Sequence, residues 1–137
     1  MATSAGYSGT PLASKLGYKA GTHAHLIGAP AELMAWLAPL PEGVQFDARV
    51  STRCDLVHLF ATEQRLLRQT LAVLRGTLRS DAMLWVSWPK KAAKVATDIT
   101  EDVIRSVALP MGYVDVKVCA VSEVWSGLKL VIRKELR

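Results

Sequence analysis

The chain has 137 residues, half of them hydrophobic and 21% charged, with a formal net charge of +5. This composition excludes a disordered or collagen-like chain. It suits one domain whose core needs neither a metal nor a disulfide framework. The positive balance is mild for a nucleic-acid binder of this length and speaks only to a general attraction for anions.

Residues 5–22 are rich in Gly, Ser, Thr and Pro. They read as loops around a short helical piece at 11–16, with Pro11 near its first turn. The first residues carry no cationic start and no apolar core, which predicts no signal peptide, and no apolar run is long enough to span a bilayer. The expectation is a cytoplasmic protein with no membrane contact. Residues 23–28 read as a buried strand. Pro30 opens a helix over 31–37, with Leu33, Met34 and Leu37 on one side, and Pro39 and Pro41 end it. Val44, Phe46, Ala48 and Val50 alternate with polar residues, the pattern of a half-buried strand. The next run, 54–60, follows too closely for a crossover helix, so 44–50 is either a short edge strand or no strand.

Residues 54–60 read as a central strand. Thr62 is placed to cap a helix reaching about Leu78, with Leu66, Leu67, Leu71, Leu74 and Leu78 on its apolar face. Residues 82–86 form the next buried strand and run into Ser87-Trp88-Pro89-Lys90-Lys91. Asp98 and Glu101 have capping-box spacing, predicting a helix over 99–108 that Pro110 and Gly112 end. Residues 113–121 alternate strictly, with Val114, Val116 and Val118 on one face. Leu128, Leu130 and Ile132 repeat the pattern, and the two strands must pair as an antiparallel hairpin through 122–127. The sum is one α/β domain with a Rossmann-like sheet, helices on its faces and a C-terminal antiparallel hairpin, preceded by a loop-rich segment at 1–22. Cys54 and Cys119 lie in apolar runs without zinc spacing, which predicts two reduced, buried thiols and a reducing compartment.

The order of elements from residue 54 onward resembles the C-terminal half of a class I methyltransferase domain. The motifs GYSGTPLASKLG at 6–17, SWPKK at 87–91, TDITEDV at 97–103, DVKVCA at 115–120 and WSGLK at 125–129 together resemble a family of short bacterial proteins known as a domain of unknown function. That resemblance implies a Rossmann-like fold and brings no activity. The methyltransferase topology implies S-adenosylmethionine, and the residues argue against it. The first strand is followed by Gly28-Ala29-Pro30, with a single glycine and a lost backbone donor, instead of a Gly-rich turn. Asp47 lies inside a strand pattern, and Ala61-Thr62 follows Phe60 where that family carries an Asn/Asp-Pro-Pro motif. No cofactor is expected.

Ligands of open α/β sheets sit beyond the carboxyl ends of the strands. Lys90, Lys91 and Lys94 are cations at such an end, next to a helix start that offers N–H groups to a phosphate or carboxylate. Asp98 and Glu101 compete for that helix start, and a solvated lysine loop is the plain alternative. Trp88 and Trp125 make an aromatic wall for a planar ligand or close the core. The binding set is then Ser87, Trp88, Lys90 and Lys91, the turn Trp125-Ser126-Gly127, and the N-terminal loop Tyr7-Ser8-Gly9-Thr10. Arg65, Arg68, Arg75 and Arg79 share one side of their helix, either a nucleic-acid face or a solvated one. His23 and His25 share a strand face, and neither they nor His58 has a third ligand in view, so no metal site is expected. Ser8 lacks the setting of a hydrolase nucleophile, and no catalytic residue is assigned. The leading expectation is a non-catalytic binding or regulatory module for an anionic small molecule or a protein partner. The alternatives are a small transferase acting on a nucleotide-like substrate and an RNA-associated protein.

Overall fold

The structure, a computed structural model, describes residues 9–137. Its strands are β1 (His23–Ile27), β2 (Gln45–Phe46), β3 (Leu56–Phe60), β4 (Met83–Pro89), β5 (Tyr113–Ala120) and β6 (Trp125–Ile132). Its helices are α1 (Leu12–Leu16), α2 (Leu33–Leu37), α3 (Gln64–Thr77) and α4 (Glu101–Ala108). The strands form one sheet in the order β2-β1-β3-β4-β6-β5. β2, β1, β3 and β4 are parallel, and β6 pairs antiparallel with both β4 and β5. The expected mixed α/β sheet with a terminal hairpin is the observed one.

Helices cover both faces. On one, Leu67, Leu71 and Leu74 of α3 and Ile104, Val107 and Ala108 of α4 pack on Val57, Leu59, Leu84, Val86 and Trp88. On the other, Leu12, Ala13 and Leu16 of α1 and Leu33 and Leu37 of α2 pack on Ala24, Leu56, Phe60 and Trp85. β3 is buried along its whole length, as a strand covered on both faces must be.

Several boundaries differ from the sequence expectation, each for a local reason. The alternating run 44–50 yields only a two-residue strand at the sheet edge. Gln45 and Phe46 are both exposed, and the ladder stops where the Asp47 N–H reaches the Ala24 carbonyl. Strand β3 begins at Leu56, and Cys54 sits in the preceding turn, buried and free. Met34 and Leu66 are exposed, so the apolar faces of α2 and α3 are narrower than their spacing predicts. β4 runs on through Ser87, Trp88 and Pro89. The last β3–β4 partners are Phe60 and Ser87, so Pro89 lies past the end of β3 and pairs only with Trp125. Its missing N–H interrupts no ladder there.

Helix starts are also set differently. Thr100, not Asp98, caps α4, its hydroxyl accepting from the Val103 N–H at 3.2 Å. Asp98 instead accepts from the Gln64 N–H at 2.7 Å and so caps α3, the task expected of Thr62. In β5 the strict alternation is broken by a bulge: Asp115 faces Leu130 and Lys117 faces Lys129, leaving Val116 without a partner. Val114 and Val118 therefore fall on opposite faces. The hairpin loop is residues 121–124, and Trp125, Ser126 and Gly127 belong to β6.

Candidate functional site

The carboxyl ends of β1, β3 and β4 are closed mainly by packing. Gly28 follows β1 with φ at 69°, and a Cβ there would lie 2.8 Å from the Phe60 carbonyl oxygen. The left-handed backbone and the fixed carbonyl together exclude a side chain. Gly28→Ala is expected to destabilise the domain by about 2 kcal/mol or more, read as a lower urea midpoint with an unchanged slope.

Of the residues proposed for a site, Tyr7 and Ser8 lie outside the described residues. Gly9 and Thr10 are exposed. Ser87, Trp88 and Gly127 are buried. Trp88 packs among Val86, Leu59 and Ile99 on the α3/α4 face. Trp125 lies on the other face, edge-on to Phe60 with ring centroids 5.1 Å apart. The two tryptophans thus finish opposite sides of the sheet and form no common wall. Gly127 is tightly enclosed: a Cβ there would lie 3.2 Å from Trp85 and Val121, so those side chains would have to give by a few tenths of an ångström.

The lysines have a different setting. Lys91–Ala93 is a single 3₁₀ turn. The Lys90 N–H donates to the Val124 carbonyl at 2.7 Å, which ties this turn to the hairpin loop. Lys94 closes the turn in the left-handed region at φ 57°, an uncommon conformation for a lysine. Lys91 and Lys94 are exposed, and Lys90 is half-buried. Among the described residues none of the three forms an ion pair. Neighbouring helix starts are already served, by Asp98 at α3 and by Thr100, Glu101 and Asp102 at α4.

A serine–histidine pair was not anticipated. His58 Nε2 and Ser87 Oγ are 2.7 Å apart across adjacent strands, and both residues are fully buried. The imidazole stacks on Phe60 at 4.2 Å, and its Nδ1 has no hydrogen-bond partner. Burial pushes the His58 pKa down to about 3. A base with so low a pKa, sealed from solvent, is poorly suited to activate a hydroxyl at neutral pH. The pair is a cross-strand tether. Only the strand register brings the two together, which is why the spacing in the chain gave no sign of it.

His23 and His25 do share a face, and both turn to Asp47. His23 Nδ1 lies 3.2 Å from the Asp47 carboxylate, and His25 Nδ1 donates to the Asp47 carbonyl at 2.9 Å. The other Asp47 carboxylate oxygen is 4.0 Å from the Cys54 thiol. Asp47 directly follows β2 instead of lying within a strand, beside the middle of β1. It thus stands at the strand end where this fold carries a ribose-binding acid, but here its carboxylate is engaged by His23. With Pro30 lacking an N–H and Gly28 pressed on Phe60, these residues do not fit S-adenosylmethionine. Of the four arginines, Arg75 donates to the Met111 carbonyl at 2.9 Å. Arg79 lies beyond α3 and pairs with Asp55 and Asp81. Only Arg65 and Arg68 stand free on the helix surface, so the basic stripe is half its expected size.

No protein-family model matches the chain, and no curated protein matches it by sequence. Solved structures do match. The mitomycin 7-O-methyltransferase superposes with a TM-score of 0.58 at 11% identity, over 83% of this chain and 49% of that one. The Methanococcus jannaschii fibrillarin pre-rRNA processing protein gives 0.52 at 8%, over 91% and 70%. The B. subtilis tRNA methyltransferase TrmK gives 0.55 at 11%, over 89% and 64%. The chain thus spans about half the length of the first of these and under two thirds of the third. What it shares with them is the methyltransferase-like Rossmann fold.

Proposed function

We propose that this chain is a non-catalytic binding or regulatory module on a methyltransferase-like scaffold, recognising an anionic small molecule at the carboxyl end of β4. The observation that carries this reading is the Lys90–Lys91–Lys94 turn. It places three cations that form no ion pair among the described residues at the edge where such sheets bind ligands, and tethers them to the hairpin loop. Support for a non-catalytic role comes from the poor fit to S-adenosylmethionine and from the sealed His58–Ser87 pair. Membership of the family of short bacterial proteins rests on the five motifs alone. A cytoplasmic setting is supported by two free cysteines. Among the described residues no helix is long and apolar enough to cross a membrane.

The test is a thermal-shift panel of nucleotides and phosphate esters. A ligand at about 100 times its Kd is expected to stabilise the domain by roughly 2.7 kcal/mol. That shift should vanish in Lys90→Ala/Lys91→Ala while the unliganded melting point holds. No shift across the panel, or one that survives the substitutions, sinks the proposal.

A further inference from the structure

Lys117 and Lys129 stand directly opposite each other on β5 and β6. Like charges in that relation repel. The arrangement exists only because of the bulge at Val116. In an unbroken ladder Val116 would face Lys129, and Lys117 would point to the α3/α4 face opposite Leu128. The extra residue turns Lys117 onto the α1/α2 face and sets it against a second lysine. Bulges that re-aim a side chain in this way gather beside functional sites.

A third lysine reaches this face from the N-terminal side. Trp85 donates its indole N–H to the Leu16 carbonyl at 2.8 Å, which pins α1 onto this face. Lys15 of α1 then lines a cleft of about 290 Å³ with Lys117, Val118, Cys119 and Ala120. Lys19 follows α1. Burial and then the charges of Lys117 and Lys19 disfavour the protonated form of Lys129. Among the described residues Lys19, Lys117 and Lys129 form no ion pair.

We propose that this open face of the β5–β6 hairpin, beside α1, is a binding site for a small multiply phosphorylated anion, held by Lys117 and Lys129 with Lys15 at its rim. The cleft sits at the small end of ligand sites, which suits a compact anion, and lysine ammonium groups serve as point-charge phosphate contacts. Among the described residues its lining holds no aromatic side chain on which a base would stack, which favours a compact polyphosphate over a nucleic-acid strand. The site lies toward the amino ends of the parallel strands, away from the Lys90–Lys91 turn, and stands independently of the function proposed there.

The probe is tripolyphosphate, titrated calorimetrically into the full chain at low and high salt. Saturable binding that weakens with salt is expected. Lys117→Gln and Lys129→Gln should each lower affinity roughly tenfold, the loss of a charge-assisted contact. Arg65→Gln/Arg68→Gln, exposed on α3 across the sheet, should leave it unchanged. Lys117 is exposed, and removing one of two facing cations should leave that variant melting no lower than the parent. The proposal is overturned by absence of saturable binding, or by affinity that ignores Lys117 and Lys129 or follows Arg65 and Arg68 instead. It is equally overturned by a short single-stranded RNA that binds more tightly than tripolyphosphate through the same lysines, which would make the face a nucleic-acid surface.

Discussion

Trp85→Ala is expected to destabilise the domain by about 4 kcal/mol, a large fraction of the roughly 5–15 kcal/mol that holds an ordinary domain together. Trp85 is fully buried on the α1/α2 face, in the middle of β4. Its ring fills the space that Gly127 leaves open, and its indole N–H meets the Leu16 carbonyl 69 residues earlier in the chain. Truncation removes that transfer energy, opens a cavity and orphans the carbonyl. It also releases α1, whose five residues are too few to stay helical without tertiary packing. Trp85→Phe keeps most of the apolar volume and loses the hydrogen bond, so a smaller loss of about 1–2 kcal/mol is expected. Urea unfolding of both variants checks the order. A loss below about 1 kcal/mol for Trp85→Ala would mean that α1 does not depend on this anchor.

Acid should weaken the fold well before the carboxylates titrate. The His58 pKa falls from 6.5 to about 3 on burial, because a charged imidazole has no solvent and no acidic partner there. Above the unfolded value both states are neutral and pH has no effect. Below it the unfolded chain takes up a proton that the folded chain refuses until about pH 3, so stability falls by about 1.4 kcal/mol per pH unit across that window. Between about pH 6 and about pH 4.5 the loss should be roughly 2 kcal/mol. Asp55, Asp81 and Asp115 are held below 3.8, so the stability they contribute is present above that value and fades mostly below about pH 4. For Asp115 the Arg105 hydrogen bond is the main cause, and for Asp81 the Arg79 hydrogen bond; at Asp55 partial burial opposes the His23 N–H and Arg79, which prevail. His58→Gln can still bond Ser87 and does not titrate, so its stability should stay flat over the same range. Equal pH slopes in parent and variant would refute the assignment.

The sheet was legible because its strands and helices keep distinct apolar periods. Leu67, Leu71 and Leu74 recur at helical spacing, and residues 56–60 form an unbroken apolar-rich run. What escaped depends on partners distant in the chain. Trp125-Ser126-Gly127 has the chemistry of a turn and is a strand, because it pairs with Ser87–Pro89 of β4, where Gly127 sits close against Trp85. The alternation of β5 is flawless as written, and only pairing with β6 reveals the bulge that turns Lys117 over. Asp98 reads as the cap of its own helix and caps the previous one across a packed loop. The strand-end lysines were visible in the sequence, whereas the facing pair Lys117 and Lys129 was not, since register is a property of two strands together.

Titration calorimetry with S-adenosylmethionine tests most directly the proposal that this methyltransferase-like scaffold serves binding without that cofactor. Gly28 closed on Phe60, Pro30 without an N–H and Asp47 held by His23 predict no saturable heat through the millimolar range. Saturable micromolar binding, lost in a Gly28 or Asp47 variant that still folds, would contradict the account and return the chain to methyl-transfer chemistry.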